Sequence, residues 1–270
     1  MDTIAFVGGG NMAAAIIGGL CKSGRPGASI VVVDPSDAQR DRLHQEFGVR
    51  ALPAADDTLE RAELVVWAVK PQYFQAAALP CAPHVERALH LSVMAGIRSD
   101  AIAQAARTQR VVRAMPNTPA LIGQGIAGLF ARQAVSAEER AVVEQVLAPT
   151  GQTLWVEREE DLDAVTALSG SGPAYVFFVV EAMMEAASEM GLSAEQGKRL
   201  ALATFSGAAA LAAASPEPPQ VLRERVTSKG GTTHAALQSL EADGVKDAFV
   251  KALKAAQQRA RELGDEFGRS

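Results

Sequence analysis

The chain contains few cysteines, few aromatic residues and no excess of positive charge. Its two cysteines, Cys21 and Cys81, are too few for a disulfide framework and lack the spacing of zinc ligands. They are interpreted as small apolar residues of a protein from a reducing compartment. The 26 basic residues stand against 31 acidic ones, which gives a net charge of -5 and excludes a general nucleic-acid binder. The four histidines are scattered along the chain, so no metal site is predicted.

Long hydrophobic runs are also scarce. Residues 1–3 include no basic side chain, and the glycines at 8–10 interrupt the first apolar stretch, so no signal peptide is predicted. The most apolar later segment, residues 175–184, contains Glu181 and falls short of the ~20 apolar residues needed to cross a bilayer. We therefore expect a soluble, cytoplasmic protein with no membrane association. Hydrophobic residues make up 48% of the 270, enough for one large domain or two modest ones.

The first 156 residues alternate short β-branched runs with longer helical stretches. The runs span residues 4–7, 30–33, 64–69, 89–93, 111–115 and 154–156, and residues 126–130 form a further candidate strand. Continuous apolar runs are typical of parallel strands that are covered by helices on both faces. Their alternation with helices predicts βαβ units in a doubly wound α/β sheet.

Beyond about residue 160 the pattern is helical throughout. Pro173 suits the first turn of a helix, and residues 174–190 are apolar on nearly every side. Such a helix is expected to be buried on most of its circumference, which in a small helical domain predicts a partner chain. Ser193 and Gln196 form a predicted capping box, and a last helix at about 233–263 is split at Asp243-Gly244. We therefore predict two domains, residues 1–158 and an all-α domain of residues 159–270.

A glycine-rich turn follows the first predicted strand directly. Gly8 permits a tight turn, Gly10 lets the backbone approach a pyrophosphate, and the small Ala13 lets the helix pack close to the sheet. The N-terminus of that helix offers free N–H groups to the phosphates. We interpret the turn as the binding loop of a dinucleotide cofactor, with a plain structural turn as the alternative. The loop residues are Gly8, Gly9, Gly10, Asn11, Met12 and Ala13.

The second predicted strand ends at Asp34, where a carboxylate can hold the ribose 2′-hydroxyl of NAD and repel the 2′-phosphate of NADP. Ser36 and Arg40 follow closely and are able to cradle that phosphate instead. A third interpretation makes Asp34 a turn residue that faces solvent. The sequence therefore predicts cofactor contacts at Asp34 and Ser36 and leaves the choice between NADH and NADPH open.

Two further glycine-containing stretches, residues 168–175 and 226–233, each open a predicted helix and offer N–H groups to an anion. Other distinctive stretches are Ala-Val-Lys-Pro-Gln at 68–72, Met-Ala-Gly-Ile at 94–97 and Arg-Ala-Met-Pro-Asn-Thr-Pro-Ala at 113–120. With these motifs in this order, the sequence resembles the pyrroline-5-carboxylate reductase family over essentially its whole length.

The resemblance implies an N-terminal Rossmann domain and a C-terminal helical domain that interlocks with a second subunit, with higher rings of dimers in the family. It implies hydride transfer from NADPH or NADH to the C=N carbon of 1-pyrroline-5-carboxylate, which gives L-proline in the last step of proline synthesis. Lys70 is expected to contact the cofactor through its backbone, with a rim charge as the alternative. The cofactor contacts implied after the later strands are Ala68, Val69, Lys70, Pro71, Met94, Ala95, Gly96 and Asn117.

The resemblance assigns the substrate to the loop before the last helix. Ser228, Gly231 and Thr232 are implied to bind the substrate carboxylate through N–H and hydroxyl groups, with Gly230 in the same loop. Thr233 is the implied catalytic residue, with its hydroxyl against the ring nitrogen. The alternative is that the two threonines only cap the helix.

Some positions depart from the family pattern. Lys229 stands where many members have proline, and His234 lies at a position that the motif does not specify, so it receives no role. The alternative enzymes are another imine reductase or a β-hydroxyacid dehydrogenase, for which Lys198 is the candidate catalytic lysine on a helix of the second domain. A cofactor-sensing module without turnover is a further alternative, and the loop at 228–233 argues against it.

Overall fold

The computed structural model of the chain describes residues 2–267. Contacts group these residues into two compact units. The first contains the chain up to Ser171 together with the segment from Ala256 onward, and the second contains Gly172–Ala255. The boundary predicted at residue 158 lies before this division, and the end of the last helix belongs to the first unit.

One mixed sheet forms the centre of the first unit. Its strands are β1 (Ile4–Val7), β2 (Ile30–Val33), β3 (Arg50–Leu52), β4 (Leu64–Trp67), β5 (Leu89–Ser92), β6 (Val111–Met115), β7 (Gly125–Ala131) and β8 (Gly151–Trp155). The order across the sheet is β3-β2-β1-β4-β5-β6-β7-β8. Neighbouring strands are parallel except β7, which runs antiparallel to β6. Every predicted strand forms, whereas β3 is an addition that its short, mixed sequence did not predict.

Helices cover both faces of this sheet. They are α1 (Asn11–Lys22), α2 (Asp37–Phe47), α3 (Phe74–Val85), α4 (Ser99–Ala105), α5 (Ala137–Leu147) and α6 (Asp161–Val165). Side chains alternate along each strand, so β1 contributes Ile4 and Phe6 to one apolar cluster with Ile16 of α1. It contributes Val7 to the opposite cluster, which contains Phe74 of α3. The predicted doubly wound α/β fold is confirmed.

The strand order changes direction at β1. Val7 at its end pairs with Val33 of β2 on one side and with Trp67 of β4 on the other. Since β1, β2, β4, β5 and β6 are all parallel, the loops after them lie at one edge of the sheet. In open α/β sheets, ligands bind at this edge where the strand order reverses.

The second unit is helical. It contains α7 (Gly172–Glu189), α8 (Ala194–Ala214), α9 (Pro219–Arg225), α10 (Thr232–Ala242) and the first part of α11 (Val245–Phe267). The predicted capping box is present: the Ser193 hydroxyl accepts from the Gln196 N–H at 3.2 Å, and the Gln196 side chain accepts from the Ser193 N–H at 2.9 Å. The predicted split of the last helix is also confirmed, with Gly244 at φ +64° between α10 and α11.

Helix α7 is more exposed within one chain than its composition predicted. Only Val180 and Ala187 are buried, whereas Phe177 and Phe178 are 58% and 71% exposed. Within the single chain the helix is therefore not buried on most of its circumference, and the predicted burial, which included a partner chain, stays a prediction. The helical stretch Asp161–Glu189 is also longer than the apolar segment considered above, because it continues through the π-helical turn Thr166–Gly170. By length and composition this stretch is able to span a membrane, with 11% of its apolar window buried.

Candidate active site

Gly8 brings two predicted cofactor-binding segments together. Its φ of +97° is a conformation that favours glycine, and an added Cβ would lie 2.8 Å from the backbone of Ala68 and Val69. The loop after β1 therefore packs directly against the loop after β4. No other residue type fits at Gly8 without displacing one of the two loops.

The N-terminus of α1 is open. Gly10 is its N-cap residue and provides no side-chain cap, and an added Cβ there would meet nothing within 4 Å. The first intrahelical bond runs from the Ala14 N–H to the Gly10 carbonyl, so the N–H groups of Asn11, Met12 and Ala13 have no partner inside the helix. These donors and the positive end of the helix dipole suit a phosphate.

Asp34 is bonded to the glycine loop. Its Oδ2 accepts the Gly9 N–H at 2.8 Å and its Oδ1 accepts the Ser36 N–H at 2.9 Å. Asp34 is half-buried and is not simply a solvent-facing turn residue. Arg40 donates to the Asp34 carbonyl at 2.8 Å and pairs with the Asp37 carboxylate. The side chains at this turn are therefore already fixed by hydrogen bonds to one another and to the glycine loop, before a ribose or phosphate binds.

The loops after β4 and β6 lie at the same edge of the sheet. Lys70 is exposed and precedes the short turn Pro71–Tyr73. Asn117 is half-buried, and its Oδ1 accepts the Ile126 N–H at 3.0 Å at the start of β7. Its side-chain carbonyl therefore secures the local fold, while its amide N–H groups remain as donors.

The end of α11 contacts the loop after β5, and the sequence did not predict this contact. Gly96 has φ +76°, and an added Cβ would lie 2.9 Å from the Phe267 ring. Next to it, Arg98 donates to Asp265 at 3.0 Å. Met94 is buried in the same loop. Because Arg98 and Asp265 are 167 positions apart in the sequence, no local pattern signals the contact.

In the second unit, the loop at 228–233 opens α10. Gly230 has φ +74°, and the Gly231 N–H donates to the Ser228 carbonyl at 3.0 Å. Gly231 is the N-cap residue of α10 and provides no side-chain cap. Thr232 and Thr233 are thus the first two helical residues, and the alternative that they serve as caps is not what the helix shows. Their N–H groups precede the first intrahelical bond, from Ala235 to Gly231.

His234 directly follows the loop at 228–233 and is half-buried in the first turn of α10. The other three histidines, His44, His84 and His90, lie outside the predicted binding loops. Burial lowers the pKa of His90 to about 4, so its ring is neutral at pH 7. His90 accepts from Trp67 Nε1 at 2.8 Å and donates to the Val85 carbonyl at 3.0 Å. Its role is to satisfy hydrogen bonds in the core.

A dinucleotide fits three features of this edge of the sheet: the free N–H groups at the start of α1, the open space beside Gly10 and the carboxylate of Asp34. Together with the sheet topology they define a dinucleotide-binding protein of the Rossmann type.

Comparisons with known proteins narrow this class. Residues 159–263 match the family model described as pyrroline-5-carboxylate reductase dimerisation, and residues 3–96 match that of coenzyme F420-dependent NADP oxidoreductases. The chain is 43% identical to pyrroline-5-carboxylate reductase of Pseudomonas aeruginosa over 98% of each chain. The solved structure of a pyrroline-5-carboxylate reductase from Coxiella burnetii superposes with a TM-score of 0.90 at 36% identity, covering 97% of this chain and 98% of that one. A Plasmodium falciparum pyrroline carboxylate reductase with NADP bound gives a TM-score of 0.86 at 26% identity, with coverages of 97% and 98%.

The chain belongs to the pyrroline-5-carboxylate reductase family. The predicted family, the class of enzyme and the use of a nicotinamide cofactor are confirmed. The roles predicted for individual residues stay predictions.

Proposed function

We propose that this protein reduces 1-pyrroline-5-carboxylate to L-proline with NADPH or NADH as the hydride donor, in the cytoplasm and away from membranes. The observation that carries the proposal is the 43% identity to a pyrroline-5-carboxylate reductase over 98% of both chains. The glycine loop after β1 and the open N-terminus of α10 are the two binding features that the reaction needs.

The cofactor binds at the edge of the sheet where the strand order changes direction at β1. Gly8 to Ala13 receive the pyrophosphate, and Asp34 and Ser36 receive the adenosine ribose. The segments Ala68–Val69–Lys70–Pro71 and Met94–Ala95–Gly96, with Asn117, border the rest of the cofactor. When bound, the cofactor supplies a hydride to the C=N carbon of the substrate.

The substrate carboxylate binds at the N-terminus of α10. The N–H groups of Thr232 and Thr233, the loop at Gly230-Gly231 and the hydroxyl of Ser228 supply the donors. The positive end of the helix dipole favours the carboxylate, and oriented backbone N–H groups hold it without a charged side chain.

Thr233 orients the imine. Hydride addition at carbon is favoured when the ring nitrogen is protonated or accepts a hydrogen bond, because positive charge there draws the electron pair. The Thr233 hydroxyl donates this hydrogen bond. A threonine hydroxyl is a weak acid, so the proton that ends on nitrogen comes from water, with Thr233 as the orienting group.

The second unit forms a dimer. Its exposed apolar residues on α7 and α8 include Phe177, Phe178, Leu200 and Leu211, and the matched dimerisation model covers both helices. Apolar patches of this kind are normally covered in the functional assembly. A second copy of the chain covers them, and dimers assemble further into rings.

The test is oxidation of NADPH and of NADH in parallel with 1-pyrroline-5-carboxylate, with the product identified as proline. Turnover with either cofactor supports the proposal. Folded protein that binds a cofactor and turns over only other imines or hydroxy acids contradicts the substrate assignment.

A further inference from the structure

Gly9, in the middle of the glycine loop, is held from two sides. Its N–H donates to Asp34 Oδ2 at 2.8 Å, and its carbonyl accepts from Gln39 Nε2 at 2.7 Å. An added Cβ at Gly9 would lie 2.7 Å from Leu43 Cδ1. Asp34, Gln39 and Leu43 all belong to the segment from the end of β2 through α2, so this segment holds Gly9 in place.

The hydrogen bond to the Gly9 carbonyl determines where the N–H group of Gly10 points. In a trans peptide the carbonyl and the following N–H point in opposite directions. Because the Gly9 carbonyl points toward Gln39 of α2, the Gly10 N–H of the same peptide points away from Gln39. Glycine peptides rotate freely when nothing holds them, and ordering them on binding reduces affinity.

Gln39 is itself held in place. Its backbone N–H donates to the Ser36 hydroxyl at 3.4 Å, and the residue is half-buried. The neighbouring cation, Arg40, is bonded to the Asp34 carbonyl and to Asp37, so it does not replace Gln39 as the donor to Gly9. The side-chain amide is therefore the group that satisfies the Gly9 carbonyl.

We propose that Gln39 is a positioning residue of the nucleotide-binding loop, which keeps the Gly10 N–H aimed at the cofactor pyrophosphate. The proposal rests on the proposed function in assigning this loop to NADPH or NADH. Gln39 acts through Gly9 and does not touch the cofactor. Its contribution is to affinity for the dinucleotide, and the chemical step at saturating cofactor is independent of it.

The experiment compares the wild type with Gln39→Met and Gln39→Glu, using the full chain. Methionine keeps the length of the side chain and removes the donor. Glutamate keeps the shape, presents only acceptors at pH 8 and adds a charge near the phosphates. The matched control is Gln45→Met, an exposed glutamine on the same helix. Dissociation constants for NADP⁺ and NAD⁺ are measured by calorimetry, alongside cofactor KM, kcat and the thermal midpoint.

We expect Gln39→Met to raise Kd and cofactor KM about three- to tenfold, the effect of one lost hydrogen bond. Gln39→Glu raises them further, while kcat and the thermal midpoint stay at the values of the control. Unchanged Kd in Gln39→Met overturns the proposal whatever Gln39→Glu shows, as does a lowered thermal midpoint without a change in Kd. If Gln39→Met does not fold, Gln39→Leu, which also lacks the donor and adds no charge, replaces it.

The wild type separates this proposal from the function on which it rests. If the wild type binds neither nucleotide, the glycine loop is not a cofactor site and both proposals fail. If the wild type binds a nucleotide and the Gln39 variants bind it equally well, only the role of Gln39 is wrong.

Discussion

Arg113 of β6 and Glu159, just before α6, form an ion pair at 2.7 Å in which the side chains are only 9% and 14% exposed. Glu159 also accepts the Ser99 N–H at 2.6 Å and the Ser99 hydroxyl at 2.5 Å. One carboxylate therefore ties the start of α6 to the sheet and to the N-terminus of α4. Glu159 is also the first residue of the matched dimerisation segment.

We expect Glu159→Ala to lower the free energy of unfolding by about 3–5 kcal/mol, because it leaves the Arg113 guanidinium buried without its partner. The measurement is a urea unfolding curve at fixed protein concentration. The control, Glu157→Ala, removes an exposed carboxylate two residues earlier. Equal midpoints for the two variants would contradict the importance of the buried pair.

The end of the chain braces the loop after β5, and Gly96→Ala tests this contact. Alanine at φ +76° is strained, and its Cβ would press on the Phe267 ring. We expect about 1–3 kcal/mol lower stability from these effects and a raised cofactor KM. The control is Gly24→Ala, where φ is +95° and an added Cβ meets nothing within 4 Å, so only the backbone strain remains. If Gly96→Ala and Gly24→Ala have the same cofactor KM, the contact with Phe267 does not position the loop after β5.

Much of the first unit was predictable from sequence. Continuous β-branched runs such as Ile30–Val33 predict buried strands, and the position of the glycine loop after β1 predicts a dinucleotide site. Strand β3 lacked such a run. Only residues 116–124 connect β6 to β7, which is too short for a parallel crossover, so β7 runs antiparallel to β6; hydrophobic periodicity does not report strand direction.

The contacts that hold the site together were less predictable. Gln39 and Gly9 are 30 positions apart, and Arg98 and Asp265 are 167 apart. Gln39 lies on α2 and Asp265 lies near the end of α11, so each pair forms only when a helix packs against a loop that is distant in the sequence, and no local pattern encodes it. The apolar character of α7 was evident in the sequence and predicted a partner chain, but it did not show which of its side chains are exposed within one chain.

Arg40 lies beside the turn at Asp34 and Ser36, and its guanidinium is paired with Asp37. We expect Asp37→Asn to release Arg40 for a 2′-phosphate and to raise the ratio of kcat/KM for NADPH to that for NADH about three- to tenfold, since a charge-assisted hydrogen bond is gained. The control, Glu46→Gln, makes the same charge change at the far end of α2, at an exposed position. Identical ratios in the two variants would mean that only net charge matters.

Thr233 is proposed to orient the imine nitrogen. Thr233→Ala is expected to lower kcat about 10²–10³-fold, as for loss of one positioned hydrogen-bond donor, with Kd for NADP⁺ unchanged. Thr233→Ser keeps the hydroxyl and should recover most of the loss. Ser239→Ala, an exposed hydroxyl on the same helix, serves as the control. Near-normal turnover in Thr233→Ala would remove Thr233 from the mechanism.

The exposed apolar face of α7 is proposed to bind a second copy of the chain. Phe178 is 71% exposed in the single chain, and we expect Phe178→Glu to convert the dimer to a monomer at micromolar concentration, because a buried unpaired carboxylate in the interface is costly. Light scattering coupled to size exclusion gives the mass. Leu79→Glu is the matched control, since Leu79 is 80% exposed on α3 in the first unit. If the dimer persists in Phe178→Glu and dissociates in Leu79→Glu, the interface includes α3 and not α7. If the wild type is already a monomer, the proposal that a second copy covers the apolar face of α7 is wrong.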